Sequence, residues 1–283
     1  MLMSAVRAIA GIVILALVIF AFRDSLTHIL SANPEMFLLA VLSYTILNIL
    51  LAYRIHYLLR KQGIDVRFFR ILRLHYAGMI ASDFTPGRAG YFAIPALARG
   101  YGIDGSAVLG VILSFQAVEM VVKILGASLA VFYLLTPSSY LGLVVPAILT
   151  LIAIAYLWSD IPPRIERLEE VRRRARMTKE HAPFIFSISL AGWVVVGFQW
   201  YFLFRALNMN VSFLQAFLLQ PLATLLMFAP LTPAGMGIFE SGSAFLISLL
   251  TGSVSQGVAL SLLVRSSTIL ADLPGILEFL SKR

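Results

Sequence analysis

The chain has 283 residues, of which 60% are hydrophobic and 13% are charged, and it contains no cysteine. This composition excludes an ordinary soluble domain, and the lack of cysteine excludes both disulfides and a thiol nucleophile. The net charge of +8 is not gathered on a basic face interleaved with base-reading or stacking residues, as nucleic-acid binding requires. We therefore predict an all-α, polytopic membrane protein that binds no nucleic acid.

Apolar segments long enough to cross a bilayer recur along the chain, since a spanning helix needs roughly 20 such residues. We predict about eight transmembrane helices, near 6–22, 36–59, 68–84, 105–135, 139–158, 183–206, 212–230 and 254–280. Two shorter apolar pieces, 90–99 and 237–250, cannot cross alone. We predict that they complete two re-entrant, broken helical hairpins, whose tips read "TPGRAG" and "TPAGMG".

Basic residues set the orientation of these segments, because cytoplasmic loops carry an excess of Lys and Arg. With both termini in the cytoplasm, the run from Arg54 to Arg73, the connector 159–182 and the C-terminal Lys282 and Arg283 share one side. The connector mixes Arg with Glu at helical spacing, which indicates a solvated, partly helical loop or, alternatively, a site for anionic lipid or a partner. We predict a multi-pass protein of the cell membrane.

An internal repeat accounts for the two Thr-Pro stretches. The helices predicted to begin near residues 36 and 183 are as far apart in sequence as Thr85 and Thr232. An odd number of crossings between equivalent points inverts the second copy, so we predict inverted halves, 36–135 and 183–280, within one membrane domain, 1–283. Inverted repeats with discontinuous helices are typical of secondary transporters that bind substrate near the bilayer midplane.

The residues at the breaks favour anion binding. Gly87 and Gly235 permit sharp turns, and a half-helix that begins after each turn presents unpaired N–H groups and a positive dipole end. Arg88 adds a planar fork of donors suited to phosphate. The alternative is that both stretches are kinks supported by neighbouring helices, as is common in membrane proteins.

Charged residues inside the predicted helices are costly, at about 2.5–3.5 kcal/mol each on insertion scales, unless they are paired or hydrated. Glu119 and Lys123 stand four apart, Arg265 and Asp272 share a helical face, and Glu240 lies in the second half-helix. One interpretation is structural, with Glu119 paired to Lys123 and Arg265 bonded to Glu240 or Asp272. The other is a shared polar cavity that receives an anionic headgroup.

A family resemblance is carried by "TPGRAG", "SFQAVE", "PLTPAGMGIFESG" and "LLVRSSTIL" in that order. Together they resemble the transmembrane region of lysylphosphatidylglycerol synthases, the flippase half of the multiple peptide resistance factor, over about residues 36–280. The resemblance implies translocation of an aminoacylated, otherwise modified or polyprenyl-linked lipid. Arg88, Glu119, Glu240 and Arg265 match its characteristic positions, whereas members usually carry glutamate at the position of Tyr91. We expect the stand-alone form, with a separate lipid-modifying enzyme as a candidate partner.

We predict a flippase-like protein that is not an enzyme and uses no metal and no cofactor. An integral-membrane transferase acting on a polyprenyl phosphate is the alternative, but Mg²⁺ usually requires clustered carboxylates, and Asp83 and Asp272 are isolated in sequence. No residue is predicted to be catalytic. The predicted substrate-binding residues are Thr85, Gly87, Arg88, Glu119, Lys123, Thr232, Gly235, Glu240, Arg265 and Asp272.

The predicted orientation is tested by cysteine labelling, because the chain has no native thiol. Single cysteines at Ser139 and Arg164 should react with a membrane-impermeant reagent from opposite sides, Ser139→Cys from outside and Arg164→Cys only after permeabilisation. Reaction of both from the outside would contradict the topology and the inverted repeat together.

Overall fold

The computed structural model describes residues 24–134, 141–159, 168–227, 232 and 235–280. These residues contain α-helices, short 3-10 helices and turns but no β-strand, which confirms the all-α class. The predicted helix 6–22 and residues Ser139, Arg164, Lys282 and Arg283 lie outside them. The helices are α1 (Asp24–Leu30), α2 (Pro34–Lys61), α3 (Phe68–Asp83), α4 (Ile94–Arg99), α5 (Gly105–Leu134), α6 (Leu141–Trp158), α7 (Glu169–Arg176), α8 (Ala182–Ala206), α9 (Phe213–Met227), α10 (Ile238–Thr251), α11 (Val254–Asp272) and α12 (Ile276–Leu280).

Membrane crossing is supported by helix length and by the exposed surface. Within the described residues, four segments are long and apolar enough to span a bilayer: Pro34–Lys61, Gly105–Tyr133, Glu169–Ala206 and Val254–Leu280. Large apolar side chains, including Leu38, Phe132 and Leu151, are mostly exposed, as a lipid-facing surface requires. The protein is therefore a multi-pass membrane protein, while the number of eight spans and the inverted repeat stay predictions.

Two compact units, each assembled from separate stretches, make up the chain. Unit 1 contains the described parts of Met1–Ile46, Met79–Gly90 and Val194–Leu273. Unit 2 contains those of Leu47–Gly78, Tyr91–Trp193 and Pro274–Arg283. Each unit therefore draws helices from both predicted halves, 36–135 and 183–280, rather than matching one half.

Unit 1 is organised around the hairpin of α10 and α11. Gly252, at a φ of 73°, ends α10 in the left-handed conformation that glycine adopts without strain. The two helices then pack so closely that a Cβ on Gly257 would lie 2.6 Å from the Cα of Ala244. Helices α1 and α9 pack against α11 and α10 respectively, so this hairpin is the core of the unit.

Unit 2 is organised around α5, which contacts α4, α6 and α7. Gly110 lets the backbone of α7 approach, because a Cβ there would lie 2.6 Å from the carbonyl oxygen of Val171. The Ser114 hydroxyl donates to the Ala175 carbonyl oxygen at 3.1 Å. The connector 159–182 is thus partly helical, as expected, but one face of its helix α7 is buried against α5 instead of being solvated all round.

The predicted last helix, 254–280, is interrupted. α11 ends at Asp272, a 3-10 turn follows at Leu273–Gly275, and α12 begins at Ile276, because Pro274 cannot supply the backbone donor that a continuous helix needs. In unit 2, the Glu278 carboxylate accepts a hydrogen bond from Tyr101 at 2.6 Å and pairs with Arg73 at 3.2 Å. The hydrogen bond to Glu278, with burial adding to it, raises the pKa of the Tyr101 phenol.

The close contact of α10 and α11 generates a stability prediction. Gly257→Ala places a methyl group against the backbone of Ala244, so we expect a loss of about 1–3 kcal/mol and a lower unfolding temperature. Gly192→Ala is the matched control, because its Cβ meets only the tip of Leu47 at 3.0 Å and alanine favours a helix by about 1 kcal/mol. Equal unfolding temperatures for the two variants would contradict this packing.

Candidate functional site

The first chain break is stabilised by the side chain of Thr85. Its hydroxyl donates to the carbonyl oxygen of Ala81, 3.1 Å away, and accepts the N–H of Gly90 at 2.6 Å. Gly90 itself must be glycine, because a Cβ would lie 2.4 Å from the Ala81 carbonyl oxygen. One threonine hydroxyl therefore joins the end of α3 to the 3-10 helix Ala89–Ala93 that leads into α4.

Two consecutive residues at this break adopt the left-handed conformation. Gly87 has a φ of 58° and Arg88 a φ of 57°. Glycine accepts this geometry freely, whereas for arginine it costs on the order of 1–3 kcal/mol and is typical of functional sites. The strained backbone directs the Arg88 side chain into the interior of unit 1, where its exposed fraction is 15%.

The Arg88 guanidinium is held by several polar groups. It donates to Asp83 at 3.2 Å, to the Ser82 hydroxyl at 3.2 and 3.3 Å, and also contacts the Tyr44 hydroxyl. Asp83 and Tyr44 are both buried. The donor fork that was expected to bind phosphate is thus occupied by a carboxylate of the same unit.

The second break also contains a hydrogen-bonded threonine hydroxyl and glycines with positive φ, but the bonds differ from those of the first break. The buried hydroxyl of Thr232 donates to the Met236 carbonyl oxygen at 2.8 Å. Gly235 and Gly237 have φ values of 68° and 82°, and a Cβ on Gly235 would lie 2.8 Å from the carbonyl oxygen of Leu226. This turn brings the start of α10 against the end of α9, so the predicted half-helix 237–250 is observed as Ile238–Thr251.

Glu240 joins the start of α10 to α11. Its Oε2 atom accepts the backbone N–H of Gly237 at 2.6 Å, and its Oε1 atom accepts from Arg265 at 2.5 Å. Glu240 is fully buried, and Arg265 is 12% exposed beside the ring of Phe239. Of the pairings considered for Arg265, the structure therefore contains the one with Glu240.

Asp272 completes the group of charges in unit 1. It is fully buried at the end of α11, and its carboxyl group lies within hydrogen-bonding reach of the Asp83 side chain. Arg88 and Arg265 both act electrostatically on Asp83. We refer to Asp83, Arg88, Glu240, Arg265 and Asp272 as the unit-1 charge cluster.

Glu119 lies in unit 2 with different partners. It accepts a hydrogen bond from Arg54 at 2.9 Å and pairs with Lys123 one turn along α5. Arg54 also donates to Ser189 at 2.9 Å and lies 3.9 Å from the centre of the Phe115 ring. Arg54 is 0% exposed, and these partners compensate much of its burial, although its Nε atom has no hydrogen-bond partner among the described residues. The cytoplasmic placement of the run from Arg54 to Arg73 stays a prediction.

Tyr91, which stands where the family resemblance implies a glutamate, also belongs to unit 2. The Tyr91 hydroxyl lies 3.0 Å from Nδ1 of His75, whose Nε2 atom lies 3.1 Å from the Asn48 side-chain oxygen. All three side chains are buried. Tyr91 is therefore part of a buried network of hydrogen-bonding side chains, at the position where the family resemblance implies a glutamate.

The structure divides the predicted site residues between the units. Unit 2 contains Glu119 and Lys123, and unit 1 contains Thr85, Gly87, Arg88, Thr232, Gly235, Glu240, Arg265 and Asp272. The cavity that Arg88, Glu119, Glu240 and Arg265 were predicted to share stays a prediction. Sequence reasoning missed Tyr44 and Arg54 and set Asp83 aside; the available signal for Asp83 was its position just before the first break.

Comparison with known proteins agrees with the resemblance seen in the sequence. Residues 7–274 match the family model described as the lysylphosphatidylglycerol synthase TM region. UPF0104 membrane protein MJ1078 of Methanocaldococcus jannaschii is 31% identical over 83 residues, which cover 29% of this chain and 36% of that relative. The matched region thus spans about a third of the curated relative's length. The family match extends over nearly the whole chain, and the protein therefore belongs to the lysylphosphatidylglycerol synthase transmembrane-region family, whose function is related to membrane lipids.

Proposed function

We propose that the protein is a flippase that moves an anionic or headgroup-modified lipid between the leaflets of the cell membrane. The observation that carries this proposal is the burial of Arg88 and Arg265 in unit 1, each bonded to a carboxylate. Buried ion pairs are often no more stabilising than apolar residues of the same volume. Their presence in a membrane protein therefore favours a role in binding a charged substrate.

The arrangement suits a headgroup that carries both signs of charge. A phosphate competes with Asp83 for the Arg88 guanidinium, because both are oxygen acceptors that match its donor fork. The displaced carboxylate is then available to a headgroup ammonium, as on an aminoacylated phospholipid. Exchange of partners keeps every charge compensated, so the headgroup crosses without leaving an isolated ion in the interior.

The wider mechanism rests on the predicted architecture of eight spans, two re-entrant hairpins and inverted halves with cytoplasmic termini. The two breaks then give the substrate alternating access from either leaflet. The substrate-binding roles of Glu119 and Lys123 stay predictions. A separate lipid-modifying enzyme supplies the substrate, and the protein itself performs no chemical step.

A transferase acting on a polyprenyl phosphate is the second candidate, favoured by the meeting of Asp83 and Asp272. Carboxylates that converge in this way are the ligands with which proteins hold Mg²⁺ beside a phosphate. Within the described ranges, no group of three or more His, Asp or Glu side chains is placed to hold a metal ion. Mg²⁺-dependent turnover of a polyprenyl phosphate by the purified protein would favour this candidate.

The role of Arg88 is tested by Arg88→Lys, which keeps the positive charge but loses the donor fork. We expect translocation of fluorescent lysylphosphatidylglycerol in reconstituted vesicles to fall about tenfold or more, on the basis of one lost charge-assisted hydrogen bond, with little change in unfolding temperature. Arg205→Lys is the control, because Arg205 is exposed beside Tyr201 in the same unit. Equal losses of transport and stability in Arg88→Lys would make Arg88 structural.

The ion pair of Glu240 and Arg265 allows structure and transport to be separated. Glu240→Gln leaves the Arg265 charge without its partner, and we expect a loss of about 3–5 kcal/mol in unfolding free energy. The double variant Glu240→Gln/Arg265→Met removes both charges, so stability should recover while translocation stays lost. Recovery of both by the double variant would show that the pair serves only the fold.

A further inference from the structure

The unit-1 charge cluster has unequal numbers of acids and bases. Asp83, Glu240 and Asp272 supply three carboxyl groups, whereas Arg88 and Arg265 supply two guanidinium groups. If all five were ionised, their own charges would sum to −1 in an environment of low dielectric constant, where a net charge is unfavourable. One bound proton makes the cluster neutral.

The geometry indicates which carboxyl groups share that proton. Oδ1 of Asp83 accepts a hydrogen bond from Arg88, but its buried Oδ2 atom meets no hydrogen-bond donor within the described ranges. The Asp272 carboxyl group is the neighbour within hydrogen-bonding reach of this side chain. Two ionised carboxylates have acceptors only, so a hydrogen bond between them requires a proton. Glu240 is excluded as its holder, because both of its oxygens accept from other groups.

We propose that Asp83 and Asp272 form a proton-binding site, in which one carboxyl group donates its proton to the other, carboxylate, member of the pair. Asp83 is 6% exposed and Asp272 is 0% exposed, so water does not separate them as it would on the surface. Neighbouring carboxyl groups in such surroundings lose their protons one at a time, and the proton belongs to the pair rather than to either residue.

The groups around the pair are set to respond to this proton. Arg88 contacts Asp83 directly, Arg265 acts on it electrostatically, and Tyr44 on α2 interacts with both aspartates. Among the described residues, α11 packs against α10 and α1 and is joined to α8 by the hydrogen bond between Gln199 and Ser267. The other titratable residues on these helices are Glu240 on α10, Asp24 and His28 on α1, and Tyr201 and Arg205 on α8. Loss of the proton leaves a second negative charge beside Arg88, which strengthens its attachment to the aspartates.

This site supplies an energy source for transport, an inference that rests on the proposed flippase function. With the pair protonated, Arg88 is attracted by only one carboxylate of the pair and is more easily released to a lipid phosphate. With the pair deprotonated, two carboxylates compete with the phosphate for the same guanidinium. Proton binding and phosphate binding therefore favour each other, and a proton gradient biases the direction of lipid movement.

Infrared spectroscopy tests the proton site without reference to transport. A protonated carboxyl group has a C=O stretching band that a carboxylate lacks, and the band shifts on exchange into D2O. In phosphatidylcholine vesicles at neutral pH, where carboxyl groups in water are ionised, wild type should show such a band, and the band should disappear as the pH is raised. Asp83→Asn and Asp272→Asn should each abolish it. Glu278→Gln, which removes a buried carboxylate of unit 2, should leave it unchanged.

Two outcomes overturn the proton site. The first is a wild-type spectrum with no protonated-carboxyl band at neutral pH, or a band that persists there in either folded Asn variant. Absence of the wild-type band overturns the site even if neither variant folds. The second is a metal site instead: Mg²⁺ would abolish the wild-type band and raise the unfolding temperature of wild type but not of Asp83→Asn.

Coupling is tested separately with fluorescent lysylphosphatidylglycerol in vesicles under an imposed pH gradient. One proton moved per lipid shifts the final lipid distribution about tenfold for each pH unit, and Asp83→Asn should remove this shift. An equal distribution with and without the gradient, in wild type that translocates the lipid, overturns coupling while the flippase function stands. Absence of translocation in wild type overturns the flippase function, and the infrared result still decides the proton site.

Discussion

The ion pair of Glu240 and Arg265 is the interaction on which the rest of unit 1 depends. Glu240 accepts a backbone N–H at the start of α10 and a guanidinium N–H from α11. Removing either bond would leave a fully buried charge or an unpaired helix terminus in a protein interior that water does not reach. The turn before α10, the start of that helix and the position of Arg265 therefore all depend on the Glu240 carboxylate.

The same constraint explains the other buried charges. Arg54 is completely buried, and it is tolerated because Glu119, Ser189 and the ring of Phe115 surround it. Arg88 adopts a strained backbone and ends beside Asp83. In each case an arginine is stabilised by a carboxylate and by further polar or aromatic groups that surround it. Under the proposed function, a lipid phosphate would exchange with these partners, so the groups that stabilise the fold would also bind the headgroup.

Much of the secondary structure could be predicted from the sequence, because apolar runs have a length that only a membrane helix satisfies. The break at Thr85 and the start of the half-helix at Gly237 were predicted from local chemistry, since proline and glycine act within a few residues. The interruption at Leu273–Gly275 was missed, although Pro274 is a local signal, because the apolar character continues through it. The buried face of α7 was missed because the many arginines in that helix resemble a fully solvated loop.

The amino-acid sequence by itself determined the all-helical membrane class, the breaks at the two Thr-Pro stretches and the family, since each depends on composition, local backbone chemistry or motif order. It also identified Arg88, Glu240 and Arg265 as unusual charges inside apolar segments. Only the tertiary structure decided their partners. Asp83 and Asp272 lie far apart in the chain, and Arg54 on α2 is separated from Glu119 on α5 by the helices α3 and α4. Electrostatic compensation acts through space over a few ångströms, and no spacing along the chain records which distant residues packing will bring within that range.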